Sequence, residues 1–340
     1  MVSDRGLAVL QAIVRDYVAT REPVGSKAIV ERHAFGVSSA TIRNDMAQLE
    51  EEELIAAPHT SSGRVPTDKG YRVFVDRLDD VAPLSSAQKK AIERFLGESA
   101  DLDEVLGRSV RLLSQLTNQV ALVQFPAFGG ASVRHVELVA MAPAKVMAIF
   151  ITDAGQVDQR VVDLPAPIDE EFLGEVRAKL NTAIAGKPVA DAVAAIRASA
   201  DLFAPVGMPA VQRILDVLDQ QATATRQDRL VVAGAANLAR TEHDFAGSIY
   251  PVLEAVEEQV TLIRLFAEME ADARGIAVSI GRENEPWGLG ETSVLSTDYA
   301  APGGQNARLG VLGPTRMDYP NNMAAVRAVA RYLSHLLGEH

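Results

Sequence analysis

The apolar positions of the first 77 residues recur at helical spacing in three separate runs. Leu7, Leu10, Ile13, Val14, Tyr17 and Val18 form one stripe, with Ser3 or Asp4 placed to cap it. Pro23-Val-Gly-Ser26 reads as a turn, with Ser26 as N-cap of a short second helix that turns Ile29 and Val30 inward. Phe35-Gly-Val makes the next turn, and Ser38 or Ser39 caps a third helix. On a wheel at 100° per residue, Ile42, Met46 and Leu49 of that helix fall within about 60° of one another and make its core stripe. Two short extended runs around Ser61-Ser-Gly63 predict a β-hairpin with Pro66 on its edge. A closing helix begins near Tyr71.

Helical spacing continues, with breaks at Pro83 and Gly97, to about residue 118. The period then changes to two. Val120–Phe125, Val136–Met141, Val146–Ile151 and Val157–Val162 predict strands of a largely antiparallel sheet. Residues 168–220 return to an alanine-rich helical pattern, Leu230–Ala233 suits an isolated strand, and one long helix is expected over about 252–272. Strand character reappears at Ile276–Ile280, Thr292–Asp298 and Arg308–Leu312, before a final helix near Pro320. Strands, a helical block, then strands again predict one α+β domain carrying a helical insertion. The expected division is 1–78, a helical linker 79–104, an α+β domain from 105–165 with 246–340, and an insert 166–245.

Composition narrows the classes. The chain has no cysteine, which excludes disulfides, thiolate metal sites and cysteine catalysis and suits a cytoplasmic protein. No apolar run approaches the roughly 18 residues that span a bilayer. The net charge of −12 argues against indiscriminate coating of nucleic acid, but it is unevenly spread. Residues 1–77 hold ten Lys/Arg and eleven Asp/Glu, whereas the remainder holds 23 and 34.

Three helices followed by a Gly/Ser-tipped hairpin is the winged-helix plan, in which the third helix enters the major groove of double-stranded DNA. Opposite its core stripe this helix shows Ala40, Thr41, Asn44, Ala47 and Gln48, with Ser39 at its start and Arg43 on the flank. Asn and Gln can pair bidentately with adenine, and Arg with guanine or phosphate. The hairpin adds His59, Ser61, Ser62, Arg64, Lys69 and Arg72, against one acid, Asp68, as candidate phosphate contacts. The run Glu50–Glu53 ends the third helix and marks where DNA contact should stop, with Arg72 or Arg77 as candidate partners for those carboxylates. Nothing supports an enzyme, a metal site or a cofactor. His33, His59, His135, His243, His335 and His340 lack ligand spacing, and no nucleophile-elbow or Walker sequence occurs. In Gly313-Pro-Thr-Arg-Met-Asp-Tyr, Arg316 and Asp318 fit either a strand-to-helix corner or an effector site.

Val37-Ser-Ser-Ala-Thr-Ile-Arg-Asn-Asp-Met46, Ser61-Ser-Gly-Arg-Val-Pro-Thr-Asp-Lys-Gly-Tyr-Arg72, Ala233-Gly-Ala-Ala-Asn-Leu238 and Leu309-Gly-Val-Leu-Gly-Pro-Thr-Arg-Met-Asp-Tyr-Pro320 together resemble the heat-inducible transcription repressor HrcA family over nearly the whole chain. Ala235 and Ala236 stand where that family more often has hydroxyl side chains. The resemblance implies a multidomain α+β fold: a winged helix, a GAF-like domain and an inserted dimerisation domain. It further implies a homodimer that represses chaperone operons by binding an inverted-repeat operator called CIRCE, with activity promoted by a GroEL-type chaperonin. A winged-helix repressor gated by a small molecule in the GAF-like domain is the alternative.

Overall fold

The computed structural model describes residues 2–59, 62–78, 85, 90, 92, 102–125, 131–153, 155–203, 205, 207–225, 229–245, 247–301 and 305–338. Most of the expected linker 79–104 therefore lies outside the described residues. The chain divides into two compact units, 1–123 with 230–298 and 308–332, and 124–229 with 299–307 and 333–340.

The first unit begins with α1 (Asp4–Thr20), α2 (Ser26–Arg32) and α3 (Ser39–Glu51). Ser3 caps α1 by accepting from the Gly6 amide, and Ser38 caps α3 by accepting from the Thr41 amide. Gly25, not Ser26, holds the N-cap position of α2, so that end has no side-chain cap. β1 (Ile55–Ala56) and β2 (Val65–Pro66) form the hairpin, and α4 (Asp68–Asp76) follows. The hairpin also reaches back to the turn after α1: Val24 and Arg64 exchange two backbone hydrogen bonds of 2.9 Å. That approach requires glycine at position 63, because a Cβ there would lie 2.5 Å from the Pro23 carbonyl oxygen.

The same unit contains α5 (Leu102–Thr117) and a five-stranded sheet. Its strands are β3 (Val120–Phe125), β7 (Arg229–Ala233), β8 (Ile276–Ile280), β9 (Thr292–Ala301) and β10 (Gln305–Pro314), in the order β7-β3-β10-β9-β8. Val120, Leu122, Val294 and Leu312 meet Leu262, Leu265 and Phe266 in one buried cluster. The single helix expected over 252–272 is two, α10 (Tyr250–Glu258) and α11 (Val260–Glu268). Gln259 between them is left-handed at φ 60°, which breaks the helical ladder. The 230–233 strand is not isolated, since β7 is an edge of this sheet. The last helix is α12 (Tyr319–Gly338).

The second unit revises the expected boundaries. β4 (Val133–Ala142), β5 (Lys145–Thr152) and β6 (Val157–Asp163) form their own antiparallel sheet, in the order β4-β5-β6, and do not join the strands near the C-terminus. With α6 (Glu170–Ile184), α7 (Val189–Ala198) and α8 (Met208–Thr225) they make an α+β unit whose longest segment is 124–229, so the helices expected as a separate block at 166–245 share a compact unit with these three strands. Its core is Val136, Leu138, Val146, Ala148, Phe150 and Val162 from the sheet with Val176, Leu180, Ile196, Ile214 and Leu218 from the helices. No helix of the described residues is long and apolar enough to cross a membrane.

Candidate nucleic-acid interface

α3 is held at both ends and along one side. Ile42, Met46 and Leu49 are buried as the stripe requires, and Asp45 is buried with them at 4% exposure. Arg5 in the first turn of α1 closes a two-pronged pair on Asp45, at 2.7 and 3.0 Å. The sequence carried a signal for this: Asp45 falls on the apolar stripe, where an acid needs a cation. At the helix start, Ser38 and Thr41 hydroxyls lie 3.0 Å apart, so Thr41 shares in the cap, and Ser39 is half-buried beside it.

The outward face of α3 is different. Arg43, Asn44 and Gln48 are exposed, and none of their side chains hydrogen-bonds or ion-pairs with another described residue. Three polar side chains with unspent donors and acceptors share one helix face, with the small Ala40 and Ala47 between them. A face of that kind approaches a groove closely and offers bidentate pairing to base edges.

The hairpin residues divide by what they touch. His59 is exposed beside the turn, whose backbone is fixed by Ser62: the Ser62 hydroxyl accepts from the His59 amide at 3.0 Å and donates to the His59 carbonyl at 2.7 Å. Ser62 therefore builds the turn, while Ser61 lies outside the described residues. Arg64 is held by Glu50, with Nε and Nη2 at 2.9 and 2.8 Å from Oε2. Lys69 donates to the Glu52 carbonyl at 2.7 Å, a cation at the negative end of α3. Arg64 and Lys69, not Arg72 or Arg77, thus answer the glutamate run.

Arg72 does not belong to this surface. Its guanidinium donates to the Val278 carbonyl at 2.8 Å and pairs with Glu283, which consumes its donors against the body of the same unit. Burial works against its charge, but Glu283 and Asp76 outweigh that and raise its pKa above the ordinary arginine value. Arg274 donates to the Val75 and Leu78 carbonyls at 3.0 and 2.8 Å, and the Arg282 amide donates to Asp68 at 3.0 Å. Gly281, left-handed at φ 54°, admits that carboxylate; a Cβ would sit 2.2 Å from it.

Arg316 and Asp318 lie in the corner between β10 and α12. The Asp318 carboxylate accepts from the Asn321 amide at 3.2 Å, at the start of α12. Arg316 grips Asp244 at 2.8 and 2.7 Å and donates to the Val18 carbonyl of α1 at 2.6 Å. Arg21 also reaches Asp244, at 3.3 Å, and contacts His243. Beside them is a cleft of about 370 Å³ lined by Tyr17, Asp68, Tyr71 and Phe245 among others. The Tyr71 hydroxyl is buried without a hydrogen-bond partner, and desolvation, with Tyr319 nearby, pushes its pKa well above the ordinary tyrosine value.

Comparison with known proteins agrees over the full length. Residues 103–323 match the family model described as the HrcA protein C terminal domain. The chain is 64% identical to the heat-inducible transcription repressor HrcA of Clavibacter michiganensis subsp. michiganensis and 59% identical to that of Leifsonia xyli subsp. xyli, covering 100% of each chain in both cases. A solved structure described only as a hypothetical protein at 2.2 Å resolution shares 26% identity, covers 98% of both chains and superposes with a TM-score of 0.70. With 221 residues inside the family model and end-to-end identity to these repressors, the chain belongs to the heat-inducible transcription repressor HrcA family.

Proposed function

We propose that this repressor uses residues 2–78 as a winged helix, reading operator DNA with α3 and steadying the complex with the hairpin. One observation carries the reading: Arg43, Asn44 and Gln48 stand exposed, their side chains unpartnered among the described residues, on a helix whose cap is closed by Ser38 and Thr41 and whose Asp45 is held by Arg5. Arg64 is the hairpin's candidate phosphate contact once it leaves Glu50, with His59 beside it. Lys69 remains exposed while it holds its carbonyl.

Two copies are required for an inverted repeat, because a two-fold operator is matched by a two-fold protein. In the alanine-rich helix α7, Val189, Ala192 and Ile196 are fully buried within the one chain and so do not face a second copy. The opposite face of the three-stranded sheet is open. The registers align Val139 with Met147 and Val161, and His135 with Ile151 and Val157. Val139, Met141, Val157 and Val161 are 41–56% exposed on one chain, an apolar face that a second copy would cover. The resemblance to the family supplies the rest of the reading: a CIRCE-type operator upstream of chaperone operons, a GAF-like fold for the five-stranded sheet and its helices, and promotion by a GroEL-type chaperonin.

Fluorescence anisotropy with the inverted repeat, a single half-site and a scrambled duplex, each with and without chaperonin, tests this. Equal affinity for repeat and scramble under both conditions would remove the operator reading. The small-molecule alternative rests on the cleft beside Arg316 and its unpartnered Tyr71 hydroxyl. A metabolite survey that leaves both melting temperature and operator affinity unchanged would dispose of it.

A further inference from the structure

We infer that Asp244, Arg316 and Arg21 are positioning residues for operator binding: they set the angle at which α3 is presented, and so the half-site spacing that the repressor accepts. The inference rests on the dimer reading above.

The knot joins distant parts of the chain at one point. Asp244 follows α9 (Ala235–Arg240) in a short turn, Arg316 comes from the corner after β10, and Arg21 and Val18 come from the end of α1. Asp244 and Arg316 are 5% and 11% exposed, so water screens their attraction little. The Val18 carbonyl is one of the last four of α1, which have no partner within the helix. Arg316 satisfies it and places a cation at the negative end of the helix. Arg21 continues past the helix end in a left-handed conformation, φ 61°, and its amide returns to the Tyr17 carbonyl at 2.9 Å. The end of α1 is therefore fixed in direction as well as in place.

α1 then acts as a lever. Its C-terminal end is in the knot, and its first turn holds α3 through Arg5 and Asp45. Seventeen residues of helix span about 25 Å at 1.5 Å per residue. A tilt of roughly 8° at the knot displaces the far end by about 3.5 Å, close to the 3.4 Å rise of one base step. The contacts of α4 with Arg274, Glu283 and Arg282 do not involve Asp244, Arg316 or Arg21 and provide the pivot. Asp68, which accepts from the Arg282 amide, lines the same cleft as the knot, so the pivot sits close to it. With the knot broken and the pivot intact, the head swings without coming away.

The test is a set of operators whose half-sites are separated by the native spacer or by one to three base pairs more or fewer, bound to full-length wild type, Asp244→Asn, Arg21→Ala and Arg316→Lys. A single half-site duplex is the control for base reading, and circular dichroism melts report folding. Expected for Asp244→Asn is unchanged half-site affinity, a loss of at least about fivefold on the native spacer, and a flattened spacer profile. Arg21→Ala removes a half-exposed arm and should flatten the profile less, while Arg316→Lys keeps the charge without the fork and falls between. Should Asp244→Asn melt early, Arg21→Ala carries the test. Folded variants with the wild-type spacer profile overturn the inference while leaving the dimer reading intact. A wild type that shows no spacer preference overturns the dimer reading, and the inference falls with it.

Discussion

Replacing Glu50 by Gln should tighten binding to operator and to random DNA by the same factor. If Arg64 meets a phosphate while keeping its present pair at 2.8 Å with Glu50, that carboxylate is held beside the phosphate and repels it. The two side chains are 27% and 39% exposed, which makes this a surface-type pair worth about 0–1 kcal/mol. DNA binding must give up that amount, or else leave a carboxylate beside the phosphate. Removing the carboxylate returns up to about 1 kcal/mol per protomer, roughly fivefold, and up to about 25-fold for a dimer. A freed Arg64 also adds counterion release, steepening the plot of log affinity against log salt by up to about 0.9 per protomer. Anisotropy titrations between about 50 and 200 mM salt measure both quantities. Glu51→Gln is the control, since Glu51 is exposed with no partner among the described residues. In an Arg64→Ala background the gain from Glu50→Gln should shrink, because no cation remains to be freed. A gain confined to the specific operator, or no gain on either DNA, refutes the assignment of Arg64 to a phosphate.

Asn44→Ala and Arg43→Ala should each cost about 1–3 kcal/mol per protomer on the operator and little on scrambled DNA, measured in the same titration. Val161→Asp places a charge on the open sheet face at a residue 55% exposed in one chain; sedimentation should show monomer with an unchanged circular dichroism spectrum. Gly63→Ala forces a Cβ against the Pro23 carbonyl and should destabilise the hairpin by about 1–3 kcal/mol, read as a lower urea midpoint. Burial raises the Asp272 pKa, but hydrogen bonds from Arg274 and the Ile276 amide outweigh it and leave it below the usual carboxylate range. A depressed pKa stabilises the fold above the unfolded value of about 3.9 and loses that contribution as pH falls through the folded value. Urea midpoints of wild type and Asp272→Asn should therefore differ near neutrality and converge in acid.

What was legible in the sequence was what neighbouring residues determine. Ser38 as a cap, the stripe of Ile42, Met46 and Leu49, and the strands near 120, 136, 146 and 157 all follow from spacing within one element. Partner choice does not. β3 and β4 carry similar apolar patterns, yet β3 pairs with β10, Val123 facing Leu309, while β4 pairs with β5. That choice is made by contacts far apart in the chain, and it groups β4, β5 and β6 with the helices of 168–220 in one compact unit. Arg72 failed for a related reason. Counting basic residues near a hairpin treats them as equivalent, but at 100° per residue Arg72 lies about 60° from the buried Val75, on the side of α4 that meets the body. Asp45 falls on the apolar stripe and so shows its burial in the sequence, but its partner Arg5 lies 40 residues away, and Asp244 stands in a short turn with no periodicity to show that it is buried.

The acidic balance of the chain gives these contacts their leverage. At net −12, with most of the acid outside residues 1–77, the body is repelled by DNA, so long-range attraction contributes little to holding the repressor on arbitrary sequence. On the proposed dimer reading, affinity would then come from a few short-range contacts made twice, which would tie it to whether two α3 helices reach two half-sites together. The open sheet face would set whether there are two heads, the Asp244 knot would set how they point, and Arg43, Asn44 and Gln48 would be decisive only when both conditions hold. For such a protein, loss of either condition leaves a single head whose weak binding resembles nonspecific binding, with α3 itself unaltered. Derepression would thus need no change in the reading surface, and a half-site affinity that stays constant while full-operator affinity collapses is the signature to look for.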